Sequence, residues 1–93
     1  MSDSPVSRTV AVSHPTGLCL RGAGAICRLA RRFQSRIEIV KDGNRVSASD
    51  ALQVVSLGAE CGSRLVLEAT GPDAEEALDA LVKLFAGSFG LTG

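Results

Sequence analysis

Hydrophobic and polar residues alternate in three stretches of the chain, with the period of two that is typical of half-buried strands. The stretches are residues 6–13, 36–39 and 64–70. The pair Asp42-Gly43 is a strong signal for a tight hairpin, and it predicts a fourth strand over residues 45–48. Each strand keeps one polar face, so the pattern predicts an open sheet that is covered on its other face only.

A helical period replaces this alternation over residues 21–33. Apolar residues recur there at i, i+3, i+4 and i+7, which predicts a helix with one buried stripe. The residues of the stripe are Ile26, Leu29, Ala30 and Phe33.

The first predicted helix also contains three arginines near its polar face and two glycines near its start. Arg28, Arg31 and Arg32 lie on or beside the polar face, where they form either a solvated surface or a docking patch for an acidic partner. Gly22 and Gly24 each lower the helix propensity by about 1 kcal/mol relative to alanine. We therefore expect the backbone to approach another group at this end of the helix.

A second, short helix is predicted over residues 51–57. Asp50 or Ser49 is a suitable N-cap, and Gly58 can end the helix in the left-handed conformation. The residues expected to face inward are Leu52 and Val55.

The last helix follows a break at Gly71-Pro72, and Asp73 begins a variant of the capping box. Its apolar face consists of Ala77, Leu78, Leu81, Leu84 and Phe85. The helical pattern fades at Gly87 and Gly90, so the last few residues are expected to fray.

The order of elements is strand, helix, strand, strand, helix, strand, helix. Four strands with helices on one face make a two-layer α+β fold. A chain of 93 residues forms one domain and buries roughly 60–65 % of its unfolded surface. We predict a single domain over residues 1–93 with a core at about 6–86.

Composition excludes several classes of function. Ten basic and ten acidic residues cancel, and the only aromatic residues are three phenylalanines, so a nucleic-acid surface is not expected. No apolar run approaches the roughly 20 residues of a membrane span. The three cysteines and one histidine have no zinc-site spacing, so no metal is expected. Reduced thiols and a polar N-terminus indicate a cytoplasmic protein.

The richest chemistry lies in residues 14–24, between the first strand and the first helix. This stretch holds His14, Cys19 and Arg21. The first turn of a helix leaves backbone N–H groups without carbonyl partners, which favours an anion. The predicted anion site combines Arg21 with the backbone at Leu20, Gly22 and Ala23.

Three motifs make the chain similar to HPr, the histidine-containing phosphocarrier of the sugar phosphotransferase system. The family's Gly-Leu-His-Ala-Arg-Pro-Ala-Ala corresponds to residues 17–24, and its Lys-Ser-Ile-x-x-Val/Leu-Met-x-Leu-Gly to residues 49–58. Its Gly-x-Asp-x-x-x-Ala-Leu corresponds to residues 71–78. The resemblance covers about residues 6–86 and implies an HPr-like open-faced β-sandwich. Its order is βαββαβα, with a four-stranded antiparallel sheet and three helices on one face.

The resemblance also implies roles for single residues. The position of the phosphoacceptor histidine is Cys19, and the arginine that pairs with the phosphoryl group is kept as Arg21, but Gly22 replaces the family's proline. The serine phosphorylated in the Gram-positive branch is Asp50 here. Enzyme I, enzyme IIA or a regulator are the implied partners, and no cofactor or catalytic turnover is implied.

Two hypotheses of function follow. In the first, the protein is a degenerate HPr that binds or regulates without a phosphohistidine, as the catabolite-repression paralogue does. In the second, Cys19 accepts the phosphoryl group, with His14 as an alternative acceptor. A third, weaker possibility is recruitment of the domain to an unrelated partner. Asp50 is explained either as an N-cap or as an imitation of phosphoserine.

Overall fold

The structure is a computed structural model that describes residues 4–87. Its seven elements confirm the predicted order βαββαβα. They are β1 (Val6–Ala11), α1 (Leu20–Ala30), β2 (Arg36–Lys41), β3 (Asn44–Ser47), α2 (Ala51–Ser56), β4 (Arg64–Thr70) and α3 (Ala74–Ala86).

The four strands form one antiparallel sheet in the order β1-β4-β2-β3. In β4 the alternation predicted from sequence is complete, because Leu65, Leu67 and Ala69 are buried beneath the helices while the residues between them are not. The β2–β3 turn has positive φ at both Asp42 (50°) and Gly43 (82°). These are the values of a type I′ hairpin turn, as the pair of residues predicts.

An arginine joins two carboxylates that face each other across the outer surface of the sheet. Glu38 and Glu68 are direct partners in the β2–β4 register, an arrangement that is unfavourable for like charges. Arg45 donates from Nη1 to Glu38 Oε1 at 3.0 Å and also to Glu68 Oε1. The pKa of Arg45 is raised by these contacts, chiefly by the one with Glu68.

The core lies between the sheet and the three helices. Its largest fully buried side chains are Phe85, Ile26, Ile39, Leu65, Leu67, Leu78, Leu81, Val12 and Val54. Helix α1 ends at Ala30, three residues before the predicted end, because the amides of Arg32 and Phe33 bond three residues back in a tighter turn. Phe33 thus lies beyond the helix, and both it and Leu29 are only partly buried.

The predicted inward face of α2 is wrong at Leu52, whereas Val55 does pack against the core. Leu52 is 75 % exposed and Val55 is half-buried, whereas Val54 is fully buried and Leu57 nearly so. Both pairs have the i, i+3 spacing of a helix face, so the apolar pattern of so short a segment fits either. Tertiary packing decides between them, because Val54 and Leu57 belong to the buried core cluster whereas Leu52 lies outside it. Asp50 caps the start of the helix by accepting from the amides of Leu52 and Gln53.

Asp73 precedes α3 but does not cap it with its side chain, so the predicted capping box is also wrong. Its carboxylate instead accepts from the amides of Gln34 and Ser35, each at 2.9 Å, and from the Ser35 hydroxyl. These bonds lower the pKa of Asp73, with the Ser35 hydroxyl as the largest cause. The start of α3 is thereby tied to the turn between α1 and β2.

Residues 4–87 bear on the expectations about membrane spans and metal sites but do not include the ends of the chain. Among residues 4–87, no helix is long and apolar enough to cross a membrane. Within the same residues, no group of three or more histidine, cysteine or acidic side chains could hold a metal ion. The expected fraying of the ends falls on residues outside the described range, and the single domain over residues 1–93 stays a prediction.

Candidate functional site

Cys19 stands at the start of α1 as its N-cap, with the extended backbone (φ −87°, ψ 178°) that such a position requires. The first helical bond runs from the Ala23 amide to the Cys19 carbonyl at 2.9 Å. The amides of the first turn, at Leu20, Arg21 and Gly22, precede that bond and have no carbonyl partner within the helix. Ala23 therefore does not contribute a donor to the predicted anion site, since its N–H is already used.

A glycine fixes the loop before Cys19. Gly17 has a φ of 74°, and a Cβ built on it would lie 2.7 Å from the Ala59 carbonyl oxygen. The next amide, that of Leu18, donates to the same oxygen at 2.9 Å. The loop is thus held against the segment between α2 and β4, and this close approach positions the start of α1.

The Cys19 side chain is partly exposed and makes no capping hydrogen bond. The pKa of its thiol is nevertheless lowered from the ordinary value, because the backbone N–H of Gly22 stabilises the thiolate. Partial burial opposes this effect, whereas the Arg21 amide and the Thr16 hydroxyl add to it. A larger share of thiolate near neutral pH makes the sulfur more nucleophilic.

His14 is 7 % exposed, so it is not the solvated loop histidine that an isolated loop position suggests. Its Nδ1 lies 3.3 Å from the Thr16 amide nitrogen and 2.8 Å from Thr16 Oγ1. A backbone amide can only donate, so Nδ1 is the acceptor and carries no proton. The ring therefore organises the loop beside Cys19.

Arg21 follows two positions after Cys19, and its side chain is exposed. Within residues 4–87 it makes no hydrogen bond or ion pair through its guanidinium group. An unengaged guanidinium beside the open amides of a helix start suits a phosphate or a carboxylate, which it can bind with two parallel bonds.

Asp50 is the N-cap of α2, and its carboxylate accepts from Leu52 N at 3.1 Å and from Gln53 N at 3.3 Å. Its neighbour Ser49 is held by α1, because the Ser49 carbonyl accepts from Cys27 Sγ at 2.9 Å and from Arg31 Nη2 at 3.2 Å. The start of α2 is therefore packed against the C-terminal part of α1, where Cys27 and the C-cap Arg31 lie. Asp50 has the capping role that the sequence predicts.

Two large apolar side chains are exposed near the starts of α1 and α2, and the hydrophobic pattern of the sequence does not predict their exposure. Leu20 is 62 % exposed and Leu52 is 75 % exposed. Leu20 was considered only for its backbone, and Leu52 was expected in the core. Each leucine follows an N-cap by one or two residues and so lies in the first turn of its helix.

The other two cysteines differ from each other. Cys27 is buried, whereas Cys61 is exposed. Cys27 is tied to Ser49, whereas Cys61 approaches only the Ser13 carbonyl at 4.0 Å. Cys61 lies in the turn before β4.

Comparison with known proteins gives a family match over nearly all of the described chain. Residues 6–87 match the family model described as PTS HPr component phosphorylation site. The chain is 40 % identical over 84 residues to the phosphocarrier protein HPr of Treponema pallidum, covering 90 % of this chain and 96 % of that protein. It is 39 % identical over 77 residues to the HPr-like protein Crh of Halalkalibacterium halodurans, covering 83 % and 92 % respectively.

Solved structures agree with these sequence matches. The crystal structure of HPr-C-His from Thermoanaerobacter tengcongensis superposes with a TM-score of 0.88 at 35 % identity, covering 95 % of this chain and 99 % of that one. The phosphocarrier protein HPr from Bacillus anthracis gives 0.84 at 38 % identity, covering 88 % and 98 %. The predicted open-faced β-sandwich is confirmed.

Proposed function

The chain belongs to the HPr family of the phosphotransferase system, and we propose that it acts there as a binding or regulatory form without a phosphohistidine. One observation carries the proposal. The described chain has a single histidine, a residue that is 7 % exposed and whose Nδ1 accepts from the Thr16 amide. Such a ring is poorly placed to meet a phosphoryl donor. The position that the family motif gives to the acceptor is held by Cys19.

In this form the start of α1 keeps the means to bind an anion without a covalent bond. The amides of Leu20 and Gly22 precede the first helical bond, and Arg21 has an unengaged guanidinium group. A phosphorylated or carboxylate side chain of a partner would accept from these donors.

The partners proposed are proteins of the phosphotransferase system: enzyme I, enzyme IIA or a regulator. Exposed Leu20 adjoins Arg21 at the anion site, and exposed Leu52 lies in the first turn of α2; both offer apolar surface that a partner would remove from water. Asp50 adds a permanent negative charge at the start of α2, although it carries about one charge where a phosphoserine carries nearly two. Its capping bonds keep that charge in a fixed place.

A second function is favoured by the lowered pKa of Cys19. In it the thiolate sulfur attacks phosphorus, an S–P bond forms, and the bond from phosphorus to the donor's carrier atom breaks. The electron pair of that bond stays with the donor protein. Arg21 and the amides of the first turn would then neutralise charge on the transferred group.

One experiment separates the two functions. The purified protein is incubated with phosphoenolpyruvate and enzyme I of the same organism, at neutral pH, and its intact mass is measured beside an ordinary HPr as positive control. We expect no phosphoryl increment on this chain while the control is modified. An increment that disappears in Cys19→Ser would establish the carrier function, and one that survives in Cys19→Ser but not in His14→Gln would move the acceptor to His14.

Binding is measured separately by calorimetry with unphosphorylated enzyme IIA and enzyme I. We expect saturable binding that weakens about tenfold or more in Arg21→Gln, because an exposed guanidinium at the site centre is lost. Arg36→Gln, an exposed arginine on the outer face of the sheet, is the matched control and should bind as the unchanged protein does. Absence of binding to any of these proteins would favour recruitment to an unrelated partner.

A further inference from the structure

We propose that the groove between α1 and α3 is a second docking surface, and that it receives an acidic amphipathic helix of a partner protein. This surface, the α1–α3 groove, is separate from the anion site at the start of α1. It consists of two adjoining depressions of about 390 Å³ and about 240 Å³ that share Leu29 and Leu84.

The floor of the α1–α3 groove is apolar and incompletely covered. Leu29 and Leu84 are partly buried against the core, and Ala25 and Ala80 beside them are also only partly covered. Small residues next to leucines leave a shallow channel between two helices. A third helix packs into such a channel through apolar residues spaced at i, i+3, i+4 and i+7.

The rim of the groove is positively charged. Arg28 lines it from α1, Arg32 from the turn after α1, and Lys83 from α3, while no acidic residue lines either depression. Within residues 4–87 these three side chains make no ion pair or hydrogen bond. Arg31, which the sequence groups with the other two arginines, instead donates to the Ser49 carbonyl. The fold thus separates the three arginines by role.

These charges select the chemistry of the occupant. The chain has no net charge, yet three unpaired cationic side chains surround one apolar channel. The complementary surface of a partner is therefore a row of apolar residues flanked by carboxylates. A second copy fits less well: the large hydrophobics exposed in the described residues are Leu20 and Leu52. Leu20 is followed by the cation Arg21, and neighbours of Leu52 on α2 are uncharged.

The test uses the full chain, labelled with ¹⁵N, and a synthetic amphipathic helical peptide with leucines on one face and glutamates beside them. A matched peptide carries lysine at every glutamate. We expect the glutamate peptide to shift the amide resonances of Leu29, Lys83 and Leu84 and to saturate, and the lysine peptide to do neither. Raising the ionic strength from about 0.1 M to about 1 M shortens the Debye length from about 10 Å to about 3 Å, and should weaken binding.

Charge reversal supplies the variants. Arg28→Glu combined with Arg32→Glu should weaken binding of the glutamate peptide about tenfold or more, because two attractive pairs become repulsive. Arg36→Glu combined with Arg64→Glu places the same change on exposed strand positions and should leave binding within about twofold. These positions are exposed, so both double variants are expected to fold.

Several results would overturn the proposal. One is the absence of saturable binding of the glutamate peptide; another is equal binding of the two peptides. Resonance shifts centred on the start of α1 would show that the peptide occupies the anion site instead. Self-association in sedimentation velocity that is abolished by the Arg28→Glu, Arg32→Glu variant would assign the groove to a second copy of the chain.

Discussion

At the scale of single residues, the chemistry of the site depends on backbone groups more than on side chains. Gly22 is buried in the first turn of α1 and gives the largest contribution to the lowered pKa of Cys19. A sequence motif says little about the lowered pKa, because the N–H group that causes it is carried by every residue except proline. The family motif has proline at this position, so the glycine here also changes the chemistry.

Replacing Gly22 by proline tests this effect. Proline is tolerated in the first turn of a helix, and it removes the N–H that stabilises the thiolate. We expect the pKa of Cys19 in Gly22→Pro to rise toward the ordinary value for a thiol. The measurement is the rate of iodoacetamide alkylation against pH, followed by mass spectrometry in a Cys61→Ser background.

The control for this prediction is Gly24→Ala. An added Cβ there meets only the end of the Arg28 side chain, at 3.5 Å, so the first turn should keep its geometry. An alkylation profile that is the same in Gly22→Pro and Gly24→Ala would contradict the assignment of the pKa shift to the Gly22 amide.

At the scale of elements, long-range hydrogen bonds decide how the helices begin. Asp73 serves the α1–β2 turn, 38 residues away in sequence, in place of its own helix. Gly71 allows this approach: its φ is 147°, and a Cβ on it would lie 2.7 Å from the Ser35 Cα. Turn and helix start therefore form one unit that joins β4, α3 and the end of α1.

Asp73→Asn should lower the free energy of unfolding at neutral pH. In acid, the variant and the unchanged protein should have similar free energies of unfolding. The folded-state pKa of Asp73 is lowered, so its contribution is present above the unfolded pKa, which is about 3.9, and is lost as pH falls through the folded value. Urea denaturation at a series of pH values measures the difference in unfolding free energy from the unchanged protein.

Asp79→Asn provides the comparison for that series. Asp79 is an exposed residue of α3, and its side chain makes no hydrogen bond or ion pair with residues 4–87. Its stability should follow that of the unchanged protein at every pH. If the two variants lose the same stability at pH 7, the bonds to Gln34 and Ser35 are not what Asp73 contributes.

At the scale of the whole molecule, leucines are found both in the core and exposed at the surface, where they belong to the proposed interface. Leu67 is fully buried in the centre of the sheet, whereas Leu52 is 75 % exposed on α2. The two leucines therefore contribute to different properties. Leu67 contributes to stability, because folding removes its apolar surface from water. Leu52 would contribute to association, because a complex would remove its surface from water.

Truncating each leucine to alanine should separate these properties. We expect Leu67→Ala to cost about 3 kcal/mol of unfolding free energy, because it removes a buried side chain and leaves a cavity. Leu52→Ala should stay within about 0.5 kcal/mol of the unchanged protein. Urea unfolding followed by circular dichroism gives both values.

The same Leu52→Ala variant should weaken binding to enzyme I or enzyme IIA, measured by calorimetry. A loss of stability from Leu52→Ala close to that of Leu67→Ala would mean that Leu52 belongs to the core, as its place in the apolar pattern first indicated. Unchanged binding would remove Leu52 from the proposed interface.

The sequence by itself determined the order of elements, the strand faces, the hairpin and the family. These depend on local periodicity, on the backbone preferences of pairs such as Asp42-Gly43, and on motifs that are contiguous in the chain. The tertiary structure decided the rotation of α2, the partner of Asp73, the burial of His14 and the separation of Arg31 from Arg28 and Arg32. Each of these depends on a contact between residues that local periodicity does not relate, and a six-residue helix or an isolated loop histidine offers too few positions to encode it.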